Sequence, residues 1–332
     1  MTALDGTTGT DGAAVRRILL SILKRIGSLL LVLVVTSFIV FAGMHLAPGS
    51  PESFLAKGNN VTAETLAALR AQYHLDDPFL VQYGRWVAGV LQGDFGQSMQ
   101  FHQPVSDLLA SRLPTTLALV AYSAILILGS GVLLGVLAAV KRGPIDSAAI
   151  VLSTVGMAAP AFVVAMALTS LFAVSLGWFP AFGPGGDGAL DRIWHLTLPA
   201  IALALSSCAL VFRTTRTSMI ATLDKEYVET ARVRGFGAQR VIWAHAFRGG
   251  VVPVITLAGL VISGLLVTTT IVETVFGLNG IGSLLVQAVN VKDFPVVQAI
   301  VLVIVTVFVV SNLIVDLLYP FLEPRARKKV GA

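Results

Sequence analysis

Long uncharged apolar stretches alternate with short polar ones along this chain. Six runs, over residues 26–47, 113–140, 147–186, 193–212, 249–272 and 294–315, contain no Asp, Glu, Lys or Arg. A helix needs about 20 such residues to cross a bilayer. The run at 147–186 is too long for one crossing, and Gly177, Pro180 and Pro184 end its helix near Trp178. The pattern therefore predicts an all-α membrane protein with six transmembrane helices, over 26–47, 113–140, 147–178, 193–212, 249–272 and 294–318. Trp178 and Trp194 fall at run ends, where interfacial tryptophans gather. Pro160 and Pro199 read as kinks within spans, tolerated because neighbouring groups re-satisfy the backbone. Gly129-Ser130-Gly131 reads as close helix packing.

A seventh uncharged stretch, 274–291, contains Gly277, Asn279, Gly280 and Gly282. These suit a re-entrant or surface segment within 273–293 better than a span. Charge supplies a test. With six spans, the tails (1–25 and 319–332) share a side with loops 141–146 and 213–248. That side carries 17 of the 23 Lys and Arg residues. The positive-inside rule places it in the cytoplasm. A seventh span would put the basic C-terminal tail outside.

Composition narrows the class further. Of 332 residues, 55% are hydrophobic and only 12% charged, against about 25% charged in a soluble domain. The net charge of +5 is spread by membrane side and does not form a nucleic-acid footprint. Residues 1–15, rich in Gly, Thr and Ala, carry too few apolar anchors to order themselves. The first run is longer than a signal-peptide core and has no clear cleavage site, so it reads as a retained span. The lone cysteine, Cys208, lies in an apolar run and reads as a packing residue.

Residues 48–112 have another character. Pro48-Gly49-Ser50-Pro51 breaks the first helix, 62–73 reads as a short amphipathic helix, and Pro78 opens another towards Leu91. Gly93-Asp94-Phe95-Gly96 makes a turn and Pro104 opens a third short helix. This is a small folded segment on the external side, with Trp86 as a buried anchor.

The most charged stretch is 224–253, DKEYVETARVRGFGAQRVIWAHAFRGGVVP. It reads as helix, glycine break, helix. Asp224 is placed to cap the first helix and Glu226 sits in its first turn, where negative charge suits the helix dipole. Lys225 and Glu229 are spaced to meet, as are Glu226 and Thr230. Gly235 and Gly237 end that helix by taking the left-handed conformation. A second helix fits 238–247, with Val241, Ile242 and His245 on one face. Such a hairpin is either a solvated connector or a docking element that exchanges motion with a partner.

Other chemistry has little support. The apolar runs hold no Asp, Glu, Lys or Arg to serve as the relays of proton-driven pumps, although backbone carbonyls still allow a sodium-coupled transporter or a channel. A phosphate-cradling loop needs Gly followed by Lys and Ser or Thr, and no lysine here follows a glycine. If ATP drives this protein, another chain binds it. The five histidines are scattered, with no pair at metal-ligand spacing.

Glu229-Thr230-Ala231 followed by Gly235 resembles the "EAA" loop of permease subunits from ABC importers. His245-Ala246-Phe247-Arg248 resembles its form in the peptide-permease branch. Thr230 departs from the general pattern, as does Arg248, which stands where that pattern has proline. The likeness extends over roughly residues 20–325. Pro48-Gly49-Ser50-Pro51 (with Ser50 where the family often has Asp), Gln82-Tyr83-x-x-Trp86, Gly93-Asp94-Phe95-Gly96-Gln97-Ser98, Arg112-Leu113-Pro114-x-Thr116, Glu273-Thr274-Val275-Phe276 and Asp293-Phe294-Pro295-Val296-Val297-Gln298 are similar to segments of the first, B-type permease subunit of dipeptide and oligopeptide importers.

The resemblance implies a type I ABC importer permease fold in the bacterial plasma (inner) membrane. It implies a homologous second permease subunit, two cytoplasmic ABC ATPase subunits and an extracytoplasmic substrate-binding protein as partners, besides membrane lipid. It implies a cytoplasmic coupling-helix hairpin contacting an ATPase through Glu226, Tyr227, Glu229, Thr230, Ala231, Arg234 and Gly235. The chain would not be an enzyme and would bind no cofactor, with ATP and Mg held by the ATPases. Cargo would be di- or oligopeptides, or else nickel or glutathione, whose importers share these motifs. The alternative of another class is a secondary transporter or channel acting alone.

Overall fold

The computed structural model describes residues 26–43, 76–141, 143–186 and 188–322, with 23 and 67 as isolated helical positions; at 145 and 315–322 it describes the backbone only. The unanchored N-terminal residues, the break at 48–51, the short helix over 62–73 and the basic tail beyond 322 lie outside the described residues.

Among those residues the regular structure is helical, apart from one isolated bridge between Gln97 and Pro104. In chain order the helices are α1 (Ile26–Gly43), α2 (Phe79–Leu91), α3 (Val105–Val140), α4 (Pro144–Ala158), α5 (Ala161–Ser175), α6 (Ala189–Leu223), α7 (Glu226–Val233), α8 (Ala238–Val275), α9 (Ile281–Val291) and α10 (Phe294–Leu322). Five of them, α1, α3, α6, α8 and α10, are long and apolar enough to cross a membrane. The consecutive pair α4–α5, bent by 100°, makes a sixth crossing if counted as one span.

Several sequence expectations change in detail. The uncharged stretch 274–291 holds the 11-residue α9, which at 1.5 Å per residue reaches only about 16 Å, too short to span. Pro160 marks a full break with a sharp turn, where a kink was expected. Helices also outrun the apolar runs. α3 starts at Val105 and takes in Arg112, so the short helix expected after Pro104 is the opening of this span; α6 continues to Leu223 past Arg213 and Arg216, and α8 begins at Ala238 and ends beyond Glu273. Backbone pairing carries a helix past the edge of its apolar stretch, so charge marks the hydrocarbon boundary and not the helix end.

Three buried clusters stack along the molecule. The central one joins Leu119, Ile127, Leu203, Leu265, Leu266 and Phe276. A second joins Val105, Leu108 and Leu109 to Ile281, Leu284, Val296 and Ile300. The third joins Val136, Ala139, Met219 and Leu223 to Val228, Ala231, Val241 and Ala246. α3 touches the second cluster at its first residue and the third at its last turn. Its 36 residues span about 54 Å, so these clusters lie at opposite ends of the bundle.

Apolar side chains gain little by leaving lipid for protein, so small residues that permit close approach hold such bundles together. Gly131 and Gly135 of α3 do this against α6. A Cβ at Gly131 would lie 2.8 Å from the Val211 Cβ, and one at Gly135 would lie 2.6 Å from the Thr215 Cβ. The expected packing at Gly129-Ser130-Gly131 thus resides in Gly131 and extends to Gly135, while a Cβ at Gly129 would meet nothing within 4 Å. α8 is locked to α6 in the same way, with the Ser218 hydroxyl donating to the Gly250 carbonyl (2.5 Å).

Candidate functional site

The polar hairpin forms as two helical arms. α7 covers Glu226–Val233, and Lys225, not Asp224, occupies its N-cap position without a side-chain bond. Asp224 instead closes α6. The chain leaves α6 with no free residue to spare, which leaves Asp224 no room to cap α7. Gly235 takes the left-handed conformation (φ +78°) and ends α7, its N–H bonding the Arg232 carbonyl (2.9 Å). Gly237 is extended (φ −60°, ψ 149°) and opens α8 instead. The second arm, expected to stop at Phe247, runs on into the span through a π-helical stretch at Val241–Phe247. Widened turns of this kind are frequent at functional sites.

α7 has two opposed faces. Val228 and Ala231 are fully buried against Met219, Leu223, Val241 and Ala246. Glu226, Glu229, Thr230 and Val233 are exposed, and their i, i+3, i+4, i+7 spacing puts them on one outward stripe. The Thr230 hydroxyl turns back to the Glu226 carbonyl (2.9 Å). Lys225 and Glu229 are spaced to pair but form no ion pair. Arg234 is exposed at the C-cap, and its N–H bonds the Thr230 carbonyl (3.0 Å).

Tyr227 flanks the stripe, with its hydroxyl against Gly249, where a Cβ would collide with it. Phe236 packs against His245 with tilted rings (centroids 5.4 Å apart) and carries the Arg240 guanidinium 4.9 Å above its ring. Of the seven residues singled out in the sequence, Ala231 thus faces inward as an anchor. Glu226, Glu229, Thr230 and Arg234 face outward, Tyr227 straps α7 to α8, and Gly235 makes the turn. Sequence reasoning missed Val228, the second anchor three residues before Ala231, and Val233, which is 83% exposed. The i, i+3 apolar spacing with Ala231 is the available signal for the first.

The opposite end carries two buried carboxylates that the sequence reading did not treat as chemistry. Glu273 accepts from the Thr116 hydroxyl (2.6 Å) and from the Ser283 N–H (3.0 Å). The Thr116 oxygen accepts in turn from the Ile281 N–H (2.9 Å). Glu273 therefore sits at the N-terminus of α9, where the helix dipole favours an anion. Asp293 accepts from the Ser98 hydroxyl (2.5 Å), the Gln100 N–H (3.1 Å) and the Met99 N–H (3.3 Å). It latches the loop that follows α2 onto the start of α10. Trp86, expected as a buried anchor, is half-buried and packs with Phe41 and Tyr83.

Residues 131–328 match the family described as the binding-protein-dependent transport system inner membrane component, and residues 18–120 match its N-terminal counterpart. The chain is 37% identical over 309 residues to a protein of Brucella abortus (strain 2308) named as a peptide transport system permease; the match covers 92% of this chain and 98% of that one. It is 38% identical over 310 residues to a glutathione transport system permease of Salmonella paratyphi A (strain ATCC 9150 / SARB42), covering 93% and 99%. Two solved structures share the fold. An amino acid ABC transporter with histidines matches with a TM-score of 0.50 and 18% identity, over 64% of this chain and 94% of that one. The inward-facing MetNI methionine ABC transporter matches with a TM-score of 0.50 and 16% identity, over 63% and 95%.

Proposed function

This chain belongs to the family of binding-protein-dependent transport system inner membrane components, and from that premise we propose that it carries peptides across the membrane together with a homologous second permease. It is a multi-pass permease subunit of an ABC importer of the peptide and nickel type. Such a permease works with ATPase subunits and a binding protein, and its relatives are permeases, not enzymes. In our reading two ATPases bind ATP and Mg, and the outward stripe of α7 seats in a groove on one of them. Closure of the ATPases then pushes on a helix whose other face is fixed to α3, α6 and α8, so the push reaches the spans. A stiff connector of this kind suits rigid-body switching.

The observation that carries this reading is the two-faced α7. Val228 and Ala231 are spent on the bundle, while two carboxylates and Val233 are left for something else. Glu229→Ala on a free helix surface costs only a few tenths of a kcal/mol. At a desolvated interface, truncating one partner of a charge pair costs about 2–5 kcal/mol. A Cβ at Gly235 would meet nothing within 4 Å, so the cost of Gly235→Val within the chain is that of the left-handed backbone, about 1–2 kcal/mol. Both variants should insert normally, yet recover fewer ATPase subunits on purification and transport more slowly. Wild-type ATPase recovery and uptake in both would make the hairpin a mere connector.

The glutathione permeases of Salmonella are as similar as the peptide permeases of Brucella, so glutathione stands as the second reading for cargo. Competition between peptides and glutathione for uptake by the whole transporter separates the two. For orientation, we place both termini and the hairpin in the cytoplasm. In intact cells, with Cys208 replaced by Ala, cysteine at Gln103 should react with an impermeant thiol reagent and cysteine at Ala238 should not. The reverse pattern would invert the topology.

A further inference from the structure

The break between α4 and α5 can be placed in depth by its contacts with α6. Asp146 pairs with Arg216 through two bonds (2.5 and 2.6 Å). The Arg213 guanidinium donates to the Thr154 hydroxyl (2.7 Å). Gly156 packs on the Leu205 carbonyl, which would lie 3.0 Å from a Cβ there. α4 therefore runs antiparallel beside α6. Leu205 lies near the midpoint of Ala189–Leu223, about 24 Å from one end and about 27 Å from the other. The break, three residues beyond Gly156, thus falls near mid-bilayer.

The backbone at this depth is irregular. Ala159 is extended (φ −86°, ψ 119°) and Pro160 has no N–H to offer. The Val163 and Val164 N–H groups return to the Pro160 carbonyl. The Ala161 and Phe162 N–H groups, the first two of α5, have no acceptor among the described residues. Met157, Ala158, Pro160 and Phe162 are exposed, so the other described residues do not cover the break. Hydrocarbon cannot cover it either, because unpaired backbone groups find no partner there.

Water is the cover that fits. Toward the cytoplasm the same α4–α6 face ends at Arg213, whose exposed guanidinium lies eight residues along α6 from Leu205, or about 12 Å, and meets water at the hydrocarbon boundary. We infer that the exposed break at 157–162 lines the water-filled translocation pathway, so that its free backbone groups face water and passing cargo instead of lipid. This rests on the permease reading above.

Water access tests it without requiring transport. With Cys208 replaced by Ala, single cysteines are placed at Ala158 and Phe162, and at Val35 near the middle of α1 as a lipid-facing reference. α1 is the least enclosed of the spans. Membranes containing the whole transporter are treated with a quaternary-ammonium methanethiosulfonate. The cysteine at Ala158 or Phe162 should react at least about tenfold faster than the one at Val35, since the charged reagent does not partition into hydrocarbon. Rates as slow as at Val35 for both positions would overturn the inference and make the break a dry contact with lipid or with the second permease. ATPase recovery, measured separately, tells failure of this inference from failure of the permease reading.

Discussion

Replacing Glu273 by Ala is expected to destabilise the purified permease by about 3 kcal/mol or more, because it strands buried donors. The carboxylate is fully buried. It receives the Thr116 hydroxyl from α3 and the Ser283 N–H from α9. Gly280 and Gly282 approach it so closely that a Cβ at Gly280 would overlap it. Alanine removes the acceptor and leaves these donors in a cavity that α9 cannot collapse to fill. The fragment from α8 through α9 would lose its tie to α3, and with it the packing of Ile281 and Leu284 on Leu108 and Leu109. Glu273→Gln keeps the shape and one acceptor, so it should lose less. The exposed Glu226→Ala is the reference that should leave stability unchanged. Thermal unfolding of the three variants in detergent gives the order. Equal midpoints for Glu273→Ala and wild type would mean that α9 is held by its apolar face alone.

The same residue shows what could be read from the sequence and what could not. The apolar runs announced the crossings because a bilayer demands about 20 apolar residues whatever the fold. The hairpin was legible because its signals are local. Glycine at position 235 has to take a positive φ, and the charges between two apolar runs have nowhere to go but out. Glu273 and Asp293 stood in segments that matched a family pattern, yet their partners Thr116 and Ser98 lie 157 and 195 residues away in the chain. No periodicity encodes a contact of that kind. Asp224 was misplaced for a different reason. A capping residue and the last residue of a preceding helix look alike in sequence when two helices follow with almost no linker. The break at Pro160 was underestimated because proline within an apolar run signals a kink and a full turn equally. The extended backbone at Ala159 and the 100° bend between α4 and α5 distinguish them.

Gly135→Leu should weaken ATPase recovery and transport although it lies on α3, outside the outward stripe of α7. A Cβ at this position would come within 2.6 Å of the Thr215 Cβ and 2.9 Å of the Phe212 carbonyl oxygen. The second of these is backbone of α6 and cannot rotate aside, so α3 and α6 must separate. Overpacking of this kind costs about 1–3 kcal/mol, and lipid offers no hydrophobic drive to push the helices back together. The separation opens directly beneath the hairpin. Val136 and Ala139, next along α3, share a cluster with Met219 and Leu223 of α6 and with Val228 and Ala231 of α7. Once that floor spreads, the anchored face of α7 loses its seat and a push on the outward face is no longer passed on whole. Gly129→Leu, six residues earlier with no neighbour within 4 Å of its Cβ, adds the same bulk to the same helix without the clash. It should keep both ATPase recovery and uptake. Thermal midpoints, co-purification and uptake measured side by side separate the cases. If Gly135→Leu matches Gly129→Leu in all three, the close approach of α3 and α6 is not what holds the hairpin in register.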